Sequence, residues 1–131
     1  MVNQNRFKIR AFAWPNGNCP SQEFYDKIKE KKVRSKFIAI WDAICESDDG
    51  QIRDTDKLTK LHGEHAYNLW EMRVEHNGIW YRIPCFRDGP DWVMTHGFTK
   101  DTNDTNPDEI KRGVEIKKTY EAMKNKAARR R

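Results

Sequence analysis

Cysteine is scarce in this chain: Cys19, Cys45 and Cys85 are odd in number, widely spaced and without a CxxC pair. That pattern argues against a disulfide framework or a zinc knuckle and suits a reducing cytoplasm, where the protein is expected to act. Long apolar runs are also missing. The opening MVNQNRFKIR has no signal-peptide core, and the greasiest segment, Phe37 to Ile44, is broken by Asp42 and far too short to span a bilayer. No membrane role is expected. His62 and His65 form an HxxH pair, but no further Cys or His has fitting spacing, so they read as solvated loop histidines and no metal or other cofactor is expected. There is no internal repeat, and the only biased tract is the basic tail Arg129, Arg130 and Arg131.

What is present suffices for one domain over residues 1–131: 37% hydrophobic and 11% aromatic residues allow a sizeable core despite 34% charged ones. Lys and Arg number 25 against 20 Asp and Glu, and the resulting pI near 9.2 suits a polyanionic partner without identifying it.

The most informative stretch runs from Leu69 to Lys100. Trp70, Met72 and Val74 alternate with Leu69, Glu71, Arg73 and Glu75, the period of a strand with one apolar and one polar face. Asn77-Gly78 supplies the two positive-φ residues of a type I′ turn, and Ile79 to Phe86 is rich in strand formers, so a hairpin follows. Its register pairs His76 with Ile79, Val74 with Tyr81, Arg73 with Arg82 and Met72 with Ile83. Two arginines thus face each other on the polar side, which destabilises a sheet unless something compensates. An anion is one answer; a plainer one is that Glu71 and Glu75 neutralise the pair in an ordinary surface ladder. Asp88-Gly89 marks a second turn, and Trp92 to Lys100 reads as a third strand in which Trp92, Met94, His96 and Phe98 share one parity. His96 is either a core histidine or, by its unperturbed pKa, a candidate acid or base.

Around this stretch, Arg6 to Trp14 alternates as a first strand. Pro20-Ser21 starts a short helix, and Val33, Phe37, Ile40, Trp41 and Ile44 recur at helical spacing, completing a helical hairpin that packs on a sheet. Residues 50–68 read as a long connection containing a helical turn, anchored by Leu58 and Leu61, with Lys57 and Lys60 on its basic edge. Pro107-Asp108-Glu109 opens a C-terminal helix, with partial apolar spacing through Ile110, Val114, Tyr120 and Met123. The expected architecture is α+β: a small curved antiparallel sheet with the helices on one face.

The series PSQEFYDKI, KLTKLHG, LWEMRVEHNGIWYRI, VMTHGFTK and NPDEI, in consistent order from about Arg6 to Tyr120, resembles the phage-derived HigB-like branch of the RelE/ParE superfamily, the toxin halves of type II toxin–antitoxin modules. The resemblance implies a RelE-like sheet clasped by the N-terminal helical hairpin. It also implies metal-independent cleavage of messenger RNA, usually in the ribosomal A site, by attack of a 2′-hydroxyl on the adjacent phosphate. The partner it implies is a cognate antitoxin, a helix-turn-helix protein encoded next door. Arg73, Arg82 and Lys100 match the family's basic site, Lys57 and Lys60 add candidate RNA contacts, and His96 ranks behind Lys100 as a proton donor. Fixed guanidinium groups suit the charge that develops on a phosphate in such a step, and Arg82 is the first candidate for this role, with Arg73 beside it. One departure is that Asp101 and Asp104 follow Lys100 in TKDTNDTNP, where relatives are often basic. A second class of function therefore stands beside the first: a non-catalytic binding protein on the same fold, such as a ParE-like gyrase inhibitor or a silent phage interaction protein.

Overall fold

A computed structural model of the chain describes residues 7–101 and 106–129. The expectations for Arg6, Asp104, Arg130 and Arg131 fall outside these residues.

The expected helical hairpin is present. Helix α1 (Pro20–Asp26) begins at a proline, whose missing N–H costs no bond at the first helical position. Helix α2 (Lys31–Glu46) buries Val33, Phe37, Ile40 and Ile44, the stripe its spacing predicts. Each such side chain contributes about 1.5–3 kcal/mol on leaving water. Trp41 extends the contact by directing its indole N–H to the Met72 sulfur at 3.3 Å.

The hairpin covers one face of a six-stranded sheet: β1 (Ile9–Ala11), β2 (Leu58–Lys60), β3 (Trp70–His76), β4 (Ile79–Asp88), β5 (Asp91–Met94) and β6 (Phe98–Lys100). The order is β1-β5-β4-β3-β2, with β6 also on β4. The α+β class is as expected, but the sheet is mixed, because β1 runs parallel to β5. A parallel pair needs a crossover connection, and the α1–α2 hairpin opens the long excursion that provides one. Alternation within β1 carries no information about which edge it joins.

Helix α3 (Pro107–Arg129) packs on the opposite face, not beside the hairpin. Its Ile110 and Ile116 join Phe12, Leu61, Leu69, Phe86 and Val93 in a second core. Glu71 of β3 and Arg82, Pro84 and Phe86 of β4 therefore look into a covered layer.

The expected third strand is split in two. Between Cys85↔Met94 and Arg82↔Phe98 the register slips by one residue, the signature of a bulge. Pro84 lies opposite the slip and has no N–H to offer, although its carbonyl accepts from Thr95 N–H at 2.8 Å. The slip reverses parity, so His96 does not share a face with Trp92 and Met94. Residues 50–68 contain the expected helical turn, at Glu64–Ala66, and also β2, an edge strand of only three residues that the sequence reading missed.

Candidate functional site

The β3–β4 hairpin adopts the register its turn dictates. Asn77 and Gly78 have φ of 52° and 81°, and Arg73 faces Arg82. The row continues outward, because Arg73 N–H donates to the Lys57 carbonyl at 2.9 Å and so sets Lys57 opposite Arg73. Lys57, Arg73 and Arg82 thus cross three neighbouring segments in line. Lys100 stands opposite Trp80, the next same-face position along β4. Lys60, opposite Trp70, has the other parity and stays outside the row.

This face is not the solvated one that its charges suggest. Glu71 and Arg82 are fully buried, and only 14% of the Arg73 side chain is exposed. A single Glu71 oxygen, Oε1, accepts from Arg82 Nη1 at 2.6 Å and from Arg73 Nε at 2.8 Å. The Arg82 guanidinium also lies over the Trp80 ring, 5.4 Å from its centroid. The two arginines are therefore reconciled by a shared buried carboxylate rather than by an ordinary surface ladder. Helix α3 packs on this face, against Leu69, Pro84 and His96. Gly113 lets it settle so closely that an added Cβ would lie 2.9 Å from Leu69 Cδ1, with Pro84 and His96 next nearest. Glu109, in the first turn of α3, has its carboxyl pKa raised above the usual range by burial, while Arg112 and Lys100 pull it down and Asp108 and Glu71 push it up.

His96 is part of that packing. Its Nδ1 is 2.9 Å from Thr95 Oγ1 and its ring stacks on Phe98. Its Nε2 lies 3.3 Å from Glu109 Oε1 without the alignment of a hydrogen bond. Burial, with Arg112 nearby, lowers its pKa to about 3. It is neutral at physiological pH and closed to solvent, which argues against the proton-donor role considered for it.

The accessible chemistry lies at the edge of β3. β2 pairs only as far as Leu58 with Met72. Beyond it, α2, the 52–57 loop, β3 and Trp80 enclose a groove of about 590 Å³. Lys36, Arg53, Lys57 and Arg73 supply positive charge there, Asp54, Asp56 and Glu75 negative, over Ala39, Ile40, Ile52 and Val74. Arg73 gives its Nε–H to Glu71, and its terminal Nη groups have no hydrogen-bond partner among the described residues. That leaves the geometry by which guanidinium grips a phosphate or carboxylate with two parallel bonds. Lys57 is mostly exposed, 3.7 Å from Asp54. Sequence reading did not nominate Glu71, Trp80, Arg53 or Lys36 as site residues. Glu71 alone left a signal, two positions before Arg73 on the same strand face. His62 and His65 are exposed, and no group of three or more His, Cys, Asp or Glu able to hold a metal occurs among the described residues.

A helical hairpin, a curved sheet of short strands and a covering C-terminal helix, with cations in line across the sheet, define a small α+β protein consistent with the RelE-like fold. The chain matches the family model described as phage-derived protein Gp49-like (DUF891) over residues 27–131 and belongs to that family, a toxin-like one related to RelE and HigB. No curated protein matches the chain. Among the described residues no helix is long and apolar enough to cross a membrane.

Proposed function

We propose that the protein is the toxin of a type II toxin–antitoxin module, of the HigB-like branch, that cleaves messenger RNA in the ribosomal A site without a metal. It acts in the cytoplasm and is held in check by a helix-turn-helix antitoxin. The observation that carries this reading is the Lys57–Arg73–Arg82 row, with Lys100 one same-face position beyond, in a chain of a toxin-like family. In the reaction the 2′-hydroxyl gives its proton to water and its oxygen forms a bond to phosphorus as the bond to the 5′-oxygen breaks, leaving a 2′,3′-cyclic phosphate and a 5′-hydroxyl. The Arg73 fork holds the non-bridging oxygens, a contribution of about 3–4 kcal/mol for a well-placed donor. Lys57 binds a neighbouring phosphate, and Lys100 protonates the leaving oxygen. Arg82, enclosed with Glu71, acts on the field at the site and does not touch RNA.

The test is expression of wild type and Arg73→Ala in growing bacteria, with RNA 5′ ends mapped. The wild type stops translation and produces cuts within codons; Arg73→Ala does neither, although it folds. A block that persists in Arg73→Ala refutes the assignment. The burial of Arg82 favours the second reading, a non-catalytic binder, and that protein leaves message ends unchanged. If it inhibits gyrase, induction instead produces DNA damage.

A further inference from the structure

We infer that Glu71 is the positioning residue of the site: its carboxylate holds Arg73 by the Nε–H so that the guanidinium fork faces the groove where an RNA phosphodiester binds. The inference rests on the proposed ribonuclease function. Three observations converge on it. Glu71 is fully buried, yet its Oε1 lies 2.8 Å from Arg73 Nε and 2.6 Å from Arg82 Nη1. The bond is to the side of the Arg73 guanidinium, so the Nη pair is not consumed by it. Arg73 also lines the groove beside Lys57, Arg53 and Trp80.

Arg73 and Arg82 occupy directly opposed positions, where like charges repel and long side chains splay. A shared acceptor reverses that tendency and converges both heads on one point. The orienting work is thus done by a residue that RNA never touches. Arg73 meets the phosphate in a set orientation, and less side-chain freedom is lost when the transition state forms.

The experiment is a double-mutant cycle between Glu71→Gln and Arg73→Lys, read as kcat and KM for cleavage of a message on programmed ribosomes. Lysine can still pair with Glu71 through Nζ, but it has no guanidinium fork whose orientation that bond could set. Glu71→Gln alone is expected to lower kcat by about tenfold or more while KM stays within about threefold, because orientation matters most in the transition state. In the Arg73→Lys background the same change alters kcat by less than about twofold. The Arg73 Nε–H resonance, followed by nitrogen-15 NMR, is exchange-protected in the wild type and loses protection in Glu71→Gln. This readout separates orientation from a general loss of packing. Should Glu71→Gln fold poorly, Glu71→Asp takes its place in the cycle, keeping the charge while drawing the oxygen back by one methylene.

Equal kcat losses in the two backgrounds, or wild-type kcat in a folded Glu71 variant, overturn the positioning role while the ribonuclease reading stands. A wild-type protein that leaves RNA intact overturns both.

Discussion

Arg82→Ala tests the structure more sharply than any other substitution, and the expectation is a loss of stability rather than a clean loss of function. The change removes one of the two cations that, among the described residues, bond a carboxylate with no exposure, and it empties the volume of a fully buried arginine. Breaking a buried ion pair from one side costs about 3–5 kcal/mol. Because Glu71 keeps Arg73 at 2.8 Å, the lower end of that range applies, about 3 kcal/mol. For a chain of 131 residues a loss of this size lowers Tm by about 10–15 °C. Urea unfolding followed by circular dichroism at neutral pH measures it directly. Combining Arg82→Ala with Glu71→Gln should recover more than about 1 kcal/mol relative to the additive sum, since the buried charge is then gone. Arg82→Ala within about 1 kcal/mol of wild type, or a strictly additive double variant, refutes the account of this pair.

Three further outcomes follow from other parts of the molecule. Gly97→Ala places a Cβ about 2.0 Å from Phe24 Cδ2 and 2.7 Å from Phe24 Cβ, so α1 itself must retreat; chemical denaturation should show a loss of about 3 kcal/mol. His96 has a folded pKa of about 3 against 6.5 for the free group, so below neutrality the unfolded chain takes up a proton that the folded chain refuses. Stability then falls as pH drops from 7 towards 3, by about 2 kcal/mol between pH 8 and pH 5. The raised carboxyl of Glu109, which faces this histidine, opposes the loss as pH falls through its folded value towards its unfolded one, and adds nothing further below that, while Arg112 reinforces the loss. Urea titrations at the two pH values should show the difference in wild type and a much smaller one in His96→Gln. Asp101→Asn, at an exposed position beside Lys100, should tighten RNA binding by about twofold to fivefold near 50 mM salt, with the two proteins converging at high salt.

The sequence was most legible where local chemistry decides the structure. Asn77-Gly78 determines the turn, the turn determines the register, and the register places Arg73 against Arg82. The spacing of Val33, Phe37, Ile40 and Ile44 likewise determines which face of α2 is buried. The sequence was misleading where a distant segment decides. Glu71 and Arg82 look like solvent residues, yet both are fully buried on the face where α3 packs, and nothing in β3 or β4 announces that helix. The parity of His96 was misread because one inserted residue opposite Pro84 reverses it, and a one-residue bulge leaves no mark in a period-2 pattern. The edge pairing of β1 and the three-residue β2 are decided by tertiary contacts too.

These misreadings bear directly on the site. A solvated arginine pair would make Arg82, nearer the centre of the sheet, the natural phosphate ligand and Arg73 its helper. Under the proposed function, burial exchanges the roles. Arg82 is closed in with Glu71, whereas Arg73 stands at the rim with its Nη groups unengaged by the described residues, beside a groove that brings Lys57 and Arg53 near it. A charged group can stabilise a reacting phosphate only if it is held firmly and still reachable, and these two demands conflict in a single flexible side chain. Here they are divided: Glu71 and Arg82 are held, and Arg73, bound to the same carboxylate oxygen, is both held and reachable. Arg73→Ala is therefore the substitution that separates activity from stability, because it removes the reachable cation and leaves the Glu71–Arg82 bond in place.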